Sequence, residues 1–132
     1  MSDTQPIEDV IRHVAEGLGL VFKSGLIRMP DGGENNKIDA LDVIFFASYA
    51  EAEMAKRGWE TSAGGHYQED GSDVVYSEAQ CDCCVNGVWK HTQAVRYNPA
   101  DPIAKAHAVL RCVAEALEIN SKQQPGDGRE GD

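Results

Sequence analysis

The stretch that most constrains the fold lies near the C-terminus. Val88 to Tyr97 reads as an extended strand, and after a turn the chain restarts at Pro102 with Ile103, Ala106, Leu110, Val113 and Leu117 at helical spacing. Lys105, His107, Arg111, Glu115 and Glu118 fall largely off that stripe. Asp101 is placed to cap the helix, and Pro102 sits where a missing N–H is harmless. A helix with one unbroken apolar stripe must lie on something flat and apolar.

The chain supplies that surface from short strands. Pro6 to Leu18 reads as a first helix on the rhythm of Ile7, Val10, Ile11, Val14, Ala15 and Leu18, with Thr4 or Gln5 as its cap and Gly17 and Gly19 as stop signals. Leu20 to Phe22 and Leu26 to Met29 read as short extended pieces, and Pro30 to Asn36 as a loop. Asp39 to Arg57 reads best as one helix with Leu41, Ile44, Phe45, Ser48, Ala52 and Ala55 along one side. Ser48-Tyr49-Ala50-Glu51 is a capping-box pattern that would instead start a helix at Ser48. Lys56, Arg57 and Gly58 end it on either reading. Trp59 to Ser62 opens a strand that Gly64-Gly65 breaks, Asp73 to Ala79 is a second, and Val88 to Tyr97 is the third. On that third strand Trp89, His91, Gln93 and Val95 share one face. Connections this short exclude crossover helices, so the expected class is α+β: a small antiparallel sheet of three to five strands with two or three packed helices. Residues 1–120 are expected to form a single globular domain, with 121–132 a flexible C-terminal tail.

With 132 residues and a hydrophobic share of 42%, the chain is large enough to bury a core without disulfide or metal staples. Its formal charge of −10 disfavours direct nucleic-acid binding and anionic membranes, both of which select clustered Lys and Arg. The densest apolar run, Val43 to Ala47, is too short to span a bilayer, and Met1 to Pro6 lacks a basic, apolar leader. Cytoplasmic localisation is the expectation.

Two groups of residues could carry function. Cys81, Cys83 and Cys84, in an expected loop with His91 downstream and His66 upstream, offer the ligand types zinc prefers, although the familiar second cysteine pair is absent. Cys112 is assigned to packing. The second group is acidic. Between Arg57 and Lys90 there is no Lys or Arg, while Glu60, Glu69, Asp70, Asp73, Glu78 and Asp82 fall there, interleaved with Tyr67 and Tyr76. Such a run is either a solvated hairpin kept from aggregating by its charges or a patch that docks on a protein's basic surface.

Catalytic motifs are weak. His13, His66, His91 and His107 are scattered, no Gly-x-Ser-x-Gly turn occurs, and a Cys84–His91 pair would have no orienting group. Gly32-Gly33 and Gly64-Gly65 lack the phosphate-loop Lys and Ser/Thr.

The helix ending Glu51-Ala52-Glu53-Met54-Ala55-Lys56-Arg57-Gly58-Trp59 leads into strands, the last of which runs into Ala104-Lys105-Ala106-His107-Ala108-Val109-Leu110-Arg111-Cys112-Val113. This resembles the small phage-encoded proteins of the phage ABA-sandwich domain family. In those, a helix ending Arg-Gly-Trp precedes a sheet and an Ala-rich closing helix carries an Arg or Cys-Arg-Ala element. The resemblance spans roughly Pro6 to Leu117 and departs in the acidic Gly64–Gly87 insert and in the order of Arg111 and Cys112. It implies a phage or prophage accessory protein and transfers no activity to named residues. The expected function is that of a non-enzymatic acidic accessory protein, with Glu60, Tyr67, Glu69, Asp70, Asp73, Tyr76, Glu78 and Asp82 facing a protein partner and inhibiting a host defence or nucleic-acid-binding complex. The alternative is a small zinc-binding module on Cys81, Cys83, Cys84 and His91. A homodimer through Phe45, Phe46 and Tyr49 is a further expectation.

Overall fold

The computed structural model describes residues 6–23, 26–28, 37–39, 43–68, 70–71 and 73–122. Its elements run α1 (Ile7–Gly17), β1 (Val21–Lys23), β2 (Leu26–Arg28), β3 (Lys37–Asp39), α2 (Val43–Lys56), β4 (Trp59–Gln68), β5 (Val75–Val85), β6 (Val88–His91), β7 (Val95–Tyr97) and α3 (Pro102–Lys122). The class is α+β: α2 and α3 pack against a four-stranded antiparallel sheet, α1 packs on α3, and a second, three-stranded sheet of order β1-β2-β3 meets α1 through β1. The short extended pieces before residue 29 are thus strands, and Asp39 belongs to β3 rather than to the following helix.

α3 is the central element. Asp101 Oδ1 accepts the N–H groups of Ile103 and Ala104 at 3.0 and 3.2 Å, so the expected cap is present. Ala106, Leu110 and Val113 are buried as expected, and so are Ala108, Val109, Cys112, Ala114 and Ala116; the stripe has widened almost to the full circumference because α1, α2 and the sheet all contact this helix. Ile103, at the exposed first turn, is 49% exposed. The helix continues through Ser121 and Lys122, where a tail was expected; residues 123–132 lie outside the described residues.

α1 starts one residue after Pro6 and buries Val10, Ile11, Val14 and Ala15. Pro6 occupies the cap position without a side-chain hydrogen bond, and the expected caps Thr4 and Gln5 lie outside the described residues. Gly17 does more than end the helix: a Cβ there would sit 2.7 Å from Leu117 Cδ1, so its small size lets α1 approach α3 closely.

α2 is one helix through Ser48, so the capping-box alternative does not operate. Its buried face, however, is Val43, Phe46, Ala47, Ala50 and Met54. The face read from the sequence is the solvent side: Ile44, Phe45, Ser48, Ala52 and Ala55 are exposed, and Leu41 lies outside the described residues. Apolar residues occur on both sides of this helix, so periodicity alone could not choose between them.

The four-stranded sheet is built around β5, which pairs β4 on one side and β6 and β7 in succession on the other. Three expectations are corrected here. β4 does not break at Gly64-Gly65 but runs on through a bulge between Gly64 and Tyr67, where Gly65 has φ +84° and the Tyr67 ring lies across it. The cysteine-bearing segment is not a loop but the second half of β5. The third strand is two strands, interrupted at Thr92, whose buried hydroxyl accepts the Cys81 N–H at 3.0 Å while its own N–H reaches the Cys81 carbonyl at 3.0 Å. That interruption swaps the faces, so Val95 turns toward the core while Trp89 and His91 turn outward.

Candidate functional site

Alternation along β5 decides which side chains can meet. Ser77, Ala79, Cys81 and Cys83 point inward and are buried beneath the helices; Tyr76, Glu78, Gln80, Asp82 and Cys84 point outward. Cross-strand pairing carries the outward set across the sheet. Glu60, Asp82 and His91 form one row, Ser62 and Gln80 the next, Glu78 and Arg96 another, with Tyr67 beside Tyr76 at one end and Cys84 beside Trp89 at the other. These side chains are exposed or half-buried, and no described helix covers them.

Five of the eight residues expected to face a partner therefore share this surface: Glu60, Tyr67, Tyr76, Glu78 and Asp82. Asp70 and Asp73 are exposed in the β4–β5 connection, at the Tyr67 end; Glu69 lies outside the described residues. Two of the carboxylates meet partners from outside the run. Arg96 Nε approaches Glu78 Oε2 at 4.0 Å, with its guanidinium 4.2 Å above the Tyr76 ring, and His91 Nδ1 lies 2.6 Å from Asp82 Oδ1. Both partners, Arg96 and His91, come from strands beyond the acidic run, which pairing folds back over it. Gln80 Nε2 donates to the same Asp82 oxygen at 3.2 Å. Tyr67 and Tyr76 stack at 5.5 Å, and Trp89 lies parallel to His91 at 6.3 Å. The result is a flat face of stacked rings and carboxylates with residual negative charge. The period-two pattern from Tyr76 to Cys84 marks the outward members of β5 in the sequence, whereas Trp89, His91 and Arg96 join this face only through the register of β6 and β7.

The same pleat separates the thiols. Cys81 and Cys83 are buried on the inner face, while Cys84 is exposed on the outer face with His91. His66 is exposed near the β4 bulge. Among the described residues no group of three or more His, Cys, Asp and Glu side chains is arranged to hold a metal ion. Burial pushes the Cys81 thiol up to about 11 despite a 3.4 Å contact with Thr61 Oγ1, and pushes Cys112 up to about 12. Cys112 Sγ donates to the Ala79 carbonyl at 3.0 Å, tying α3 to β5. These are packing thiols. The tryptophans divide: Trp59 is core, with Nε1 donating to Asn120 Oδ1 at 3.3 Å, whereas Trp89 is 56% exposed.

A concavity lies between the solvent flank of α2 and the outer edge of β4. This open groove of about 730 Å³ is lined by Ser48, Glu51, Ala52 and Ala55 from α2, by Gly58 to Ser62, and by Asp82. Glu51 titrates above the ordinary carboxyl range because burial disfavours its charge, an effect the nearby Lys105 charge opposes. Among the described residues no helix is long and apolar enough to cross a membrane. Comparison with protein-family models, with curated proteins and with solved structures yields no match to this chain.

Proposed function

We propose that this chain is a non-enzymatic, acidic protein-binding factor that presents the outer face of its four-stranded sheet to the basic surface of a protein partner. The observation that supports the reading is the convergence of Glu60, Glu78 and Asp82 with Tyr67, Tyr76 and Trp89 on one uncovered sheet face. Rigid aromatic rings contribute contact area at little entropic cost, and carboxylates around them select a cationic partner. Arg96 and His91 set the pattern of that face and would have to be matched by the partner.

In the setting that the phage ABA-sandwich resemblance suggests, the factor is a mobile-element accessory protein in a bacterial cytoplasm. Its acidic face competes with nucleic acid for a basic groove of a host defence or nucleic-acid-handling complex. A homodimer through α2 would seat on Ile44 and Phe45, which are exposed, rather than on buried Phe46 or half-buried Tyr49.

The test starts with a pull-down from the host organism, followed by titration of the captured partner against variants. Charge reversal at Glu60, Glu78 and Asp82 is expected to weaken binding at least about tenfold, with the thermal unfolding midpoint nearly unchanged. Affinity should also fall as salt is raised, because exposed charges are screened. Unaltered affinity in the triple variant rules out this use of the sheet face.

A further inference from the structure

The edge of β4 that faces away from β5 pairs with no other described strand. Between Trp59 and Ala63 the strand is regular, so alternate N–H and C=O groups point outward as a template for another strand; beyond Gly64 the bulge turns the edge aside. Exposed edges are commonly guarded by Lys or Pro, and this segment contains neither. Beside it runs the flank of α2, whose small Ser48, Ala52 and Ala55 leave the groove open. The charged side chains lining that groove, Glu51, Glu60 and Asp82, are all acidic.

We propose that this groove receives an extended, Lys- or Arg-bearing segment of a protein partner, which adds to the sheet as a further strand along Trp59–Ala63. Main-chain hydrogen bonds to the free edge hold the segment; basic side chains on its outward face meet Glu60 and Asp82, and a basic side chain on its helix-facing side meets Glu51. A second copy of this chain is the wrong occupant. Pairing two β4 edges would bring two such acidic grooves together without a compensating cation from either lining. The inference goes beyond the outer-face reading. Glu60 and Asp82 border both surfaces, whereas Glu51, Ala52 and Ala55 belong to the groove.

The probe is a blocked peptide of about eight residues in which Val and Lys alternate in pairs, so that Lys falls on both faces of the added strand, compared with the same peptide bearing Glu for Lys and with one in which Pro replaces Val. Titration followed by backbone amide NMR is expected to show binding of the first peptide, with slowed amide exchange at Glu60–Ala63, and no binding of the second. The Pro-bearing peptide keeps its charge but lacks the N–H donors, and should lose that protection. Ala52→Arg, at an exposed helix position, should abolish binding, and Glu51→Gln should weaken it about threefold or more. Tyr76→Ala and Trp89→Ala, which alter only the outer face, should leave it unchanged; their weakening it instead would assign the peptide to that face. Absence of binding at millimolar peptide, equal binding of the Pro-bearing peptide, or protection at β6 or β7 in place of β4 overturns the proposal.

Discussion

Phe45 and Phe46 are adjacent, identical in chemistry and opposite in fate, which makes them the sharpest probe of how α2 sits on the core. Phe46 is 1% exposed and Phe45 is 56% exposed. Phe46→Ala removes a fully buried ring and leaves a cavity among the residues around it, a loss of about 3–5 kcal/mol. Against a total stability of about 5–15 kcal/mol that is a large fraction. With a shift of about 4 °C per kcal/mol for a chain of this length, the thermal midpoint should fall by about 12–20 °C. Phe45→Ala removes a ring already mostly in water, and the higher helix propensity of Ala returns about 0.5 kcal/mol, so its net effect should lie within about 0.5 kcal/mol of zero. Both variants gain the same propensity, so their difference isolates burial. Urea and thermal denaturation followed by circular dichroism, with unchanged urea dependence, measure it. If Phe45→Ala proves as costly as Phe46→Ala, or costlier, the helix is rotated and the groove beside β4 is wrongly drawn.

Other consequences follow from the same geometry. A thiol reagent on the native protein should label Cys84 rapidly and Cys81, Cys83 and Cys112 only on unfolding, since the last three are buried and burial keeps Cys81 and Cys112 protonated at neutral pH; fast labelling of more than one thiol contradicts the β5 pleat. Glu51 binds its proton more tightly folded than unfolded, so it favours folding at low pH and opposes it as pH rises through its raised value. Glu51→Gln should therefore raise stability at neutral pH, with the gain disappearing below the ordinary carboxyl value of 4.5. His107 shows the reverse for a base: burial and the Arg111 charge hold it below 6.5, so folding should weaken as pH falls through that region, and His107→Gln should flatten the dependence. Elemental analysis of protein dialysed against zinc should find no stoichiometric metal, and a chelator should leave the unfolding midpoint unmoved; stoichiometric zinc would reopen the cysteine module.

The elements were legible where the pattern admitted one reading. α3 carries a cap, a Pro and a long apolar stripe that agree with one another, and α1 has a clean rhythm; both are found where expected. The reading failed where two patterns coexisted. In α2 the apolar residues surround the axis, and only tertiary contact with α3 and β4 selects Phe46 over Phe45. In β5 the alternation of small and polar residues continues through Cys81 to Cys84, yet clustered thiols suggest a metal loop, and that chemistry masks the strand period. The partners of Glu78 and Asp82, Arg96 and His91, could not be placed without the register, because the break at Thr92 changes which side chains face outward.

The central claim is that the outer sheet face, rather than a helical surface, is where this protein meets its partner. Amide chemical-shift mapping with the captured partner tests it most directly. The account predicts perturbations at Glu60, Tyr76, Glu78, Asp82, Trp89 and Arg96, with α1 silent. Perturbations clustered on α1 or the exposed end of α3, with the outward residues of β5 unmoved, contradict it.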